Sequence, residues 1–102
     1  MIVNMTQKLM GVDGKPLKDP EGKEIILRTV VTNALGTILE SDKTTSGEDK
    51  CKIWQLAVKV QEDKPDIDVE DLALIKKRIG EAFGPMVVGP AYLILNGTQK
   101  SA

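Results

Sequence analysis

Apolar positions recur at helical spacing in three long stretches of the chain, and polar residues before two of them mark where a helix begins. The clearest stretch runs from Ser46 to Glu62. Ile53, Leu56, Ala57 and Val60 make one apolar stripe, and Trp54 and Val58 widen it to a second face. Ser46 with Asp49 three residues later reads as a capping box, the hydroxyl accepting from an orphaned backbone N–H while the carboxylate reaches back. Glu48 and Asp49 suit the positive end of the helix dipole. A helix apolar over so much of its girth is expected to be packed on two sides, at the centre of the fold.

From Leu27 to Glu40 the same period returns in Leu27, Val30, Val31, Ala34, Leu35, Ile38 and Leu39. The β-branched run Thr29 to Thr32 and Gly36, which costs about 1 kcal/mol against Ala inside a helix, oppose it. The pattern outweighs them and predicts a helix, with 41–45 as the loop that follows. Asp68 with Asp71 signals another helix start, and Leu72, Ile75, Ile79, Ala82 and Phe83 form its apolar face, opposite Lys76, Lys77 and Glu81. Met86 to Leu95 is almost continuously apolar. Pro85 suits a first helical position, whereas Pro90 predicts a break or kink near Gly89-Pro90, with Asn96-Gly97 as the C-cap.

Before Leu27 no helical period appears. Ile2, Val3, Met5, Gln7 and Leu9 alternate weakly, Asp13-Gly14 favours a tight hairpin, and Asp19-Pro20-Glu21-Gly22 fits a type I turn. Met1 to Ile26 therefore reads as a β-hairpin or three-stranded meander that must lean on the helices. No internal repeat is expected. The fold expected is α+β: one globular domain over 1–97, with an N-terminal β-hairpin or short meander packed on a three- to four-helix core. Residues 98–102 are expected to be a disordered tail.

Composition narrows the chemistry. Trp54, Phe83 and Tyr92 are the only aromatics, so the core must be aliphatic and stacking surfaces for bases are few. A net charge of −1 argues against a surface built throughout for phosphate backbones. With one Cys, no internal disulfide forms, and Cys51 reads as a small buried hydrophobe. Neither a secretory leader nor an apolar run of the ~20 residues that span a membrane is seen, so a soluble, cytoplasmic protein is expected.

The absence of His removes the commonest general base and most transition-metal sites. Asp13 to Glu24 has the length of a calcium loop, but Lys15 and Leu17 stand where oxygens are needed and Lys18 where the turn requires Gly. Asp63, Asp66, Asp68, Glu70 and Asp71 are read as helix-start acids. Lys76-Lys77-Arg78 spreads over about 300° of a helix and is read as a solvated face. Gly11, Gly14 and Lys15 lack the spacing of a phosphate-binding loop. No catalytic, cofactor-binding or metal-ligating residue is assigned, and the protein is not expected to be an enzyme.

The layout of DGKPLKDPEGKE, LRTVVTNAL, SGEDK…WQLAVKV and DVEDLALIKKRIGEAF before an apolar close resembles small proteins of bacteriophages and prophages. The resemblance implies a viral factor made in the bacterial cytoplasm, in a class rich in adaptors and inhibitors. The expected function is protein–protein interaction or self-association, through an apolar surface at Met86, Val88, Tyr92 and Leu93. The alternative is a nucleic-acid-associated regulator using Lys52, Lys59, Lys76 and Lys77.

Overall fold

The caps foreseen from the sequence start two of the four helices in the computed structural model, which describes residues 2–101, without the side chains of Ser41 and of residues 98–101. Helix α1 is Leu27–Gly36, α2 Gly47–Lys59, α3 Val69–Ala82 and α4 Pro85–Ser101, with one 3₁₀ turn at Glu40–Thr44. Ser46 Oγ accepts from the Asp49 N–H at 3.1 Å, without the return bond from the Ser46 N–H to the Asp49 carboxylate that the expected capping box includes, and the Asp68 carboxylate accepts from the Asp71 N–H at 2.8 Å. Both bonds satisfy a first-turn donor that has no partner inside its own helix.

Among the described residues there is no β-strand, so the fold is a small helical one and the expected α+β class is corrected. The N-terminal segment does fold back on itself twice, but it pairs only at isolated bridges: Lys8 with Ile26, Met10 with Pro16, and Lys18 with Glu24. The backbone bonding explains why no ladder grows. The Leu9 N–H donates to Ile25 O at 3.0 Å, Ile25 N–H to Leu17 O at 2.8 Å, and Leu17 N–H to Leu9 O at 2.8 Å. The three limbs thus close a ring through one residue each, and Pro16 has no N–H to extend it.

The ring also exposes an eight-residue repeat, which corrects the expectation of none. Leu9, Leu17 and Ile25 recur at that interval, as do Gly14 and Gly22, whose φ values of 78° and 85° only glycine adopts without strain. The bonds repeat with them: Gly11 N–H to Lys15 O and Asp19 N–H to Lys23 O, both 2.8 Å. The two copies share hydrogen-bond geometry more than residue type.

Helices α1 and α3 form the centre, α1 packing most extensively on α3 and then on α2, while α4 packs on α3. Leu27, Val30, Val31, Ala34 and Leu35 of α1 meet Leu72, Ile75 and Ile79 of α3. Val3, Met5 and Leu9 close the core from the N-terminal side, and Ala91 and Leu95 from α4. Within α2 only Leu56 is buried, so Ser46–Glu62 is not the central element expected. Of its two apolar faces one meets the core; Trp54, Val58 and Cys51 lie on the exposed side, and the expected burial of Cys51 is corrected with them.

Two helix ends also differ from expectation. Helix α1 stops at Gly36, four residues before Glu40, for a reason given below. Helix α4 is not broken at Gly89-Pro90 and does not end at Asn96-Gly97. Pro90 removes the one intrahelical bond that the carbonyl of Met86, an exposed residue, would have accepted. The disorder expected for 98–102 falls on residues whose side chains lie outside the described set. No described helix is long and apolar enough to cross a membrane.

Candidate interaction groove

Arg78 organises the surface that stands out on this fold. Its position three residues after Ile75 and one before Ile79 places it on the apolar face of α3, not on the solvated face expected for Lys76-Lys77-Arg78. It is only 5% exposed. Its Nε donates to Ala34 O at 3.0 Å, and its Nη2 to Leu35 O at 3.3 Å and Thr37 O at 2.9 Å. The guanidinium thereby satisfies carbonyls at the end of α1 that the next turn of helix would otherwise use. Both Nη atoms also donate to the Asp42 carboxylate, at 2.9 and 3.2 Å. This fork-to-fork pairing needs Arg, since a lysine ammonium cannot span it.

Asp42 is held from the other side by the Leu39 N–H, which donates to Oδ2 at 2.8 Å. The Arg78 guanidinium first, and this N–H second, hold the Asp42 carboxyl at about 2, below its ordinary 3.8. A carboxylate with a depressed folded-state pKa adds stability above its unfolded pKa and loses that contribution as pH falls toward the folded one. Asp42→Asn is therefore expected to lower stability at pH 7 and to flatten the stability curve between pH 4 and pH 2 relative to wild type. Parallel urea titrations across that range check it. Curves that stay equally separated at all pH values would show that the carboxylate charge is not what matters.

Because the chain turns at Gly36–Thr37 to reach Asp42, Ile38 is swung outward and is 91% exposed. Opposite it, on α2, Trp54 is 66% exposed. Between them lies an open groove of about 590 Å³, lined mainly by Leu35, Ile38, Ile53, Trp54 and Ala57, with the Asp42–Arg78 pair at one side. Apart from its chain neighbours and the backbone of its own helix, nothing lies within 4 Å of where a side chain on Gly36 would begin, so that part of the groove is open space. The charges around it are mostly answered: Asp42 by Arg78, and Lys43 by Glu40 at 2.7 Å. The Lys50 ammonium, at the α2 end of the groove, has no ion-pair or hydrogen-bond partner among the described residues.

The residues singled out from the sequence fall elsewhere. Met86 and Leu93, seven residues apart on α4, are exposed; Leu93 borders a smaller hollow of about 190 Å³ with Met10, Pro90 and Ile94. Val88 and Tyr92 are half-buried against the core. Tyr92 donates its hydroxyl proton to Lys76 O at 2.6 Å, tying α4 to α3.

Of the four lysines, Lys76 donates to Asn96 Oδ1 at 2.7 Å and sits 5.4 Å over the Tyr92 ring. Lys52 and Lys77 border a cleft of about 480 Å³ together with Asp49, Asp71 and Glu81. Lys59 shares a shallower hollow with Lys52 and Asp71. The basic residues are thus interleaved with acids. The turn acids are used locally, Asp13 accepting from Lys15 N–H and Asp19 from Glu21 and Lys23 N–H, whereas Asp63, expected at a helix start, pairs with Arg28, 35 residues away.

Trp54 was legible as an apolar position, but its exposure was not, and Ile38 was expected inside a helix. What signals Arg78 in the sequence is a charge placed within the stripe of Ile75, Ile79 and Ala82. Compared with known protein families, curated proteins and solved structures, the chain matches none.

Proposed function

We propose that the protein is a non-enzymatic interaction factor, an adaptor or inhibitor that binds another protein through the groove between the end of α1 and α2. The observation that carries this reading is the pair Trp54 and Ile38, both exposed on opposite sides of one concave apolar surface. Large apolar side chains in such a setting gain free energy when a partner removes them from water, and Trp is among the residues that most often dominate protein interfaces. The docking surface accordingly lies at the groove and not at the α4 residues expected from the sequence. The resemblance to phage proteins supports a bacterial cytoplasmic setting for the same function.

The test uses the intact protein as bait in bacterial lysate beside two variants. Gly36→Leu fills the open part of the groove from a position where a side chain meets nothing, and Trp54→Ala removes one wall. A protein retained by wild type and lost at least tenfold from both variants is expected, with thermal unfolding confirming that each variant folds. Identical retention by all three baits would end the reading. Retention that is removed by nuclease and collapses between about 50 and 200 mM salt would transfer the function to Lys52, Lys59, Lys76 and Lys77.

A further inference from the structure

We infer that the segment this groove accepts is an amphipathic helix of the partner protein, carrying an acidic residue on the flank of its apolar stripe; the inference rests on the groove being the docking site. Two features support a helix. Lys50, Ile53, Trp54 and Ala57 line one wall from successive turns of α2, so their side chains repeat at intervals of roughly 5.4 Å. A partner helix with apolar residues at i, i+3 or i+4, and i+7 presents the same repeat. Ala57 on this wall and Gly36 across from it have little or no side chain, which lets another helix approach closely.

An extended peptide finds no comparable partner. Strand addition requires a row of free backbone N–H and C=O groups. Here the border is formed by α1, α2, the extended link 37–39 and the 3₁₀ turn. On that link the Thr37 N–H donates to Asn33 O and the Leu39 N–H to the Asp42 carboxylate, while Thr37 O accepts from Arg78 and Leu39 O from the Asp42 N–H. Among the described residues only Ile38 keeps unbonded backbone groups there. One residue is not the row of groups that a strand needs.

Charge decides the flank. Asp42 and Lys43 are neutralised by Arg78 and Glu40, which leaves Lys50 as the cation of this groove without a partner among the described residues. It stands in the first turn of α2, and the acids that answer the dipole there, Glu48 and Asp49, do not line the groove as Lys50 does. An Asp or Glu beside the partner's apolar stripe complements it, and a Lys or Arg there is repelled. The complementary helix is not α4 of a second copy, because Pro85 to Ser101 contains no Asp or Glu.

A displayed library of 16-residue peptides with all positions randomised, selected on wild type, Gly36→Leu and Lys50→Glu, tests the inference. Binders enriched on wild type and lost on Gly36→Leu are expected to show apolar residues at helical spacing with Asp or Glu on one flank. Lys50→Glu is expected to weaken those binders about three- to tenfold, as one exposed pair turns from attraction to repulsion, and to enrich Lys or Arg in their place. Helical circular dichroism of a bound peptide and a blue shift of Trp54 emission give independent readouts. Groove-dependent binders that are extended, or that show no acidic preference, would overturn the inference and leave the docking site standing. If no binder depends on the groove, both readings fall.

Discussion

Arg78→Ala is expected to remove about 3–5 kcal/mol of unfolding free energy, a large share of what holds a domain of this size together. The cost does not come from a lost surface charge. The substitution leaves the Asp42 carboxylate without its cation and three carbonyls, those of Ala34, Leu35 and Thr37, without their donor, in a place where the guanidinium is 5% exposed. Urea denaturation should show the midpoint falling by about 2 M or more, with little change in slope. Arg78→Lys is expected to recover only a minor part, because one ammonium cannot serve carbonyls and carboxylate together. Arg78→Met combined with Asp42→Leu removes both charges and should be milder than Arg78→Ala alone, yet still destabilised by the orphaned carbonyls. A midpoint within experimental error of wild type for Arg78→Ala would mean that α1 ends where it does without this residue. The same substitution bears on function, since the turn that Arg78 holds is what projects Ile38 over the groove.

Truncating Leu9 to Ala is the second large effect, expected at about 2–5 kcal/mol from lost burial and the cavity left behind. Leu9 is fully buried, and it is also one corner of the backbone ring with Leu17 and Ile25. The N-terminal segment has no ladder to distribute a loss, so the seat of one side chain governs the whole. Amide exchange should therefore quicken together at Leu9, Leu17 and Ile25, by more than it does in the centres of α1 and α3. If exchange rises by the same factor throughout the protein, the segment is not a separately yielding unit and its bonding to the helical core is stronger than this account allows.

Local chemistry was legible in the sequence wherever a bond closes within three or four residues. The Ser46 and Asp68 caps, and the Asp13-Gly14 and Asp19-Gly22 turns, need only their own neighbours to be satisfied. The apolar stripes of α1 and α3 were legible for a related reason, since every apolar position on those two stripes up to Leu35 and Ile79 found a partner. No β-strand forms among the described residues because the turns lie too close together to leave a run of residues for pairing. Between Gly11–Lys15 and Asp19–Lys23 the chain has room for a single bonded residue, Leu17, and not for a strand. The eight-residue repeat was hidden for the opposite reason, its copies sharing bonds and glycine φ more than letters.

The sequence by itself therefore determined where helices start, which residue types form the core, and that histidine chemistry is absent. Only the tertiary structure decided which of two apolar faces on α2 is covered, and so whether Trp54 is core or surface. It alone converted Arg78 from one of three neighbouring cations into the cap of a distant helix, 44 residues from Ala34. The physical reason is common to both. A periodic pattern states that a side chain prefers to leave water, or that a charge needs partners, but the free energy is realised only by what another segment brings to that place. Capping needs one turn of chain, whereas covering Trp54 or answering Arg78 needs an arrangement of helices that no local window contains.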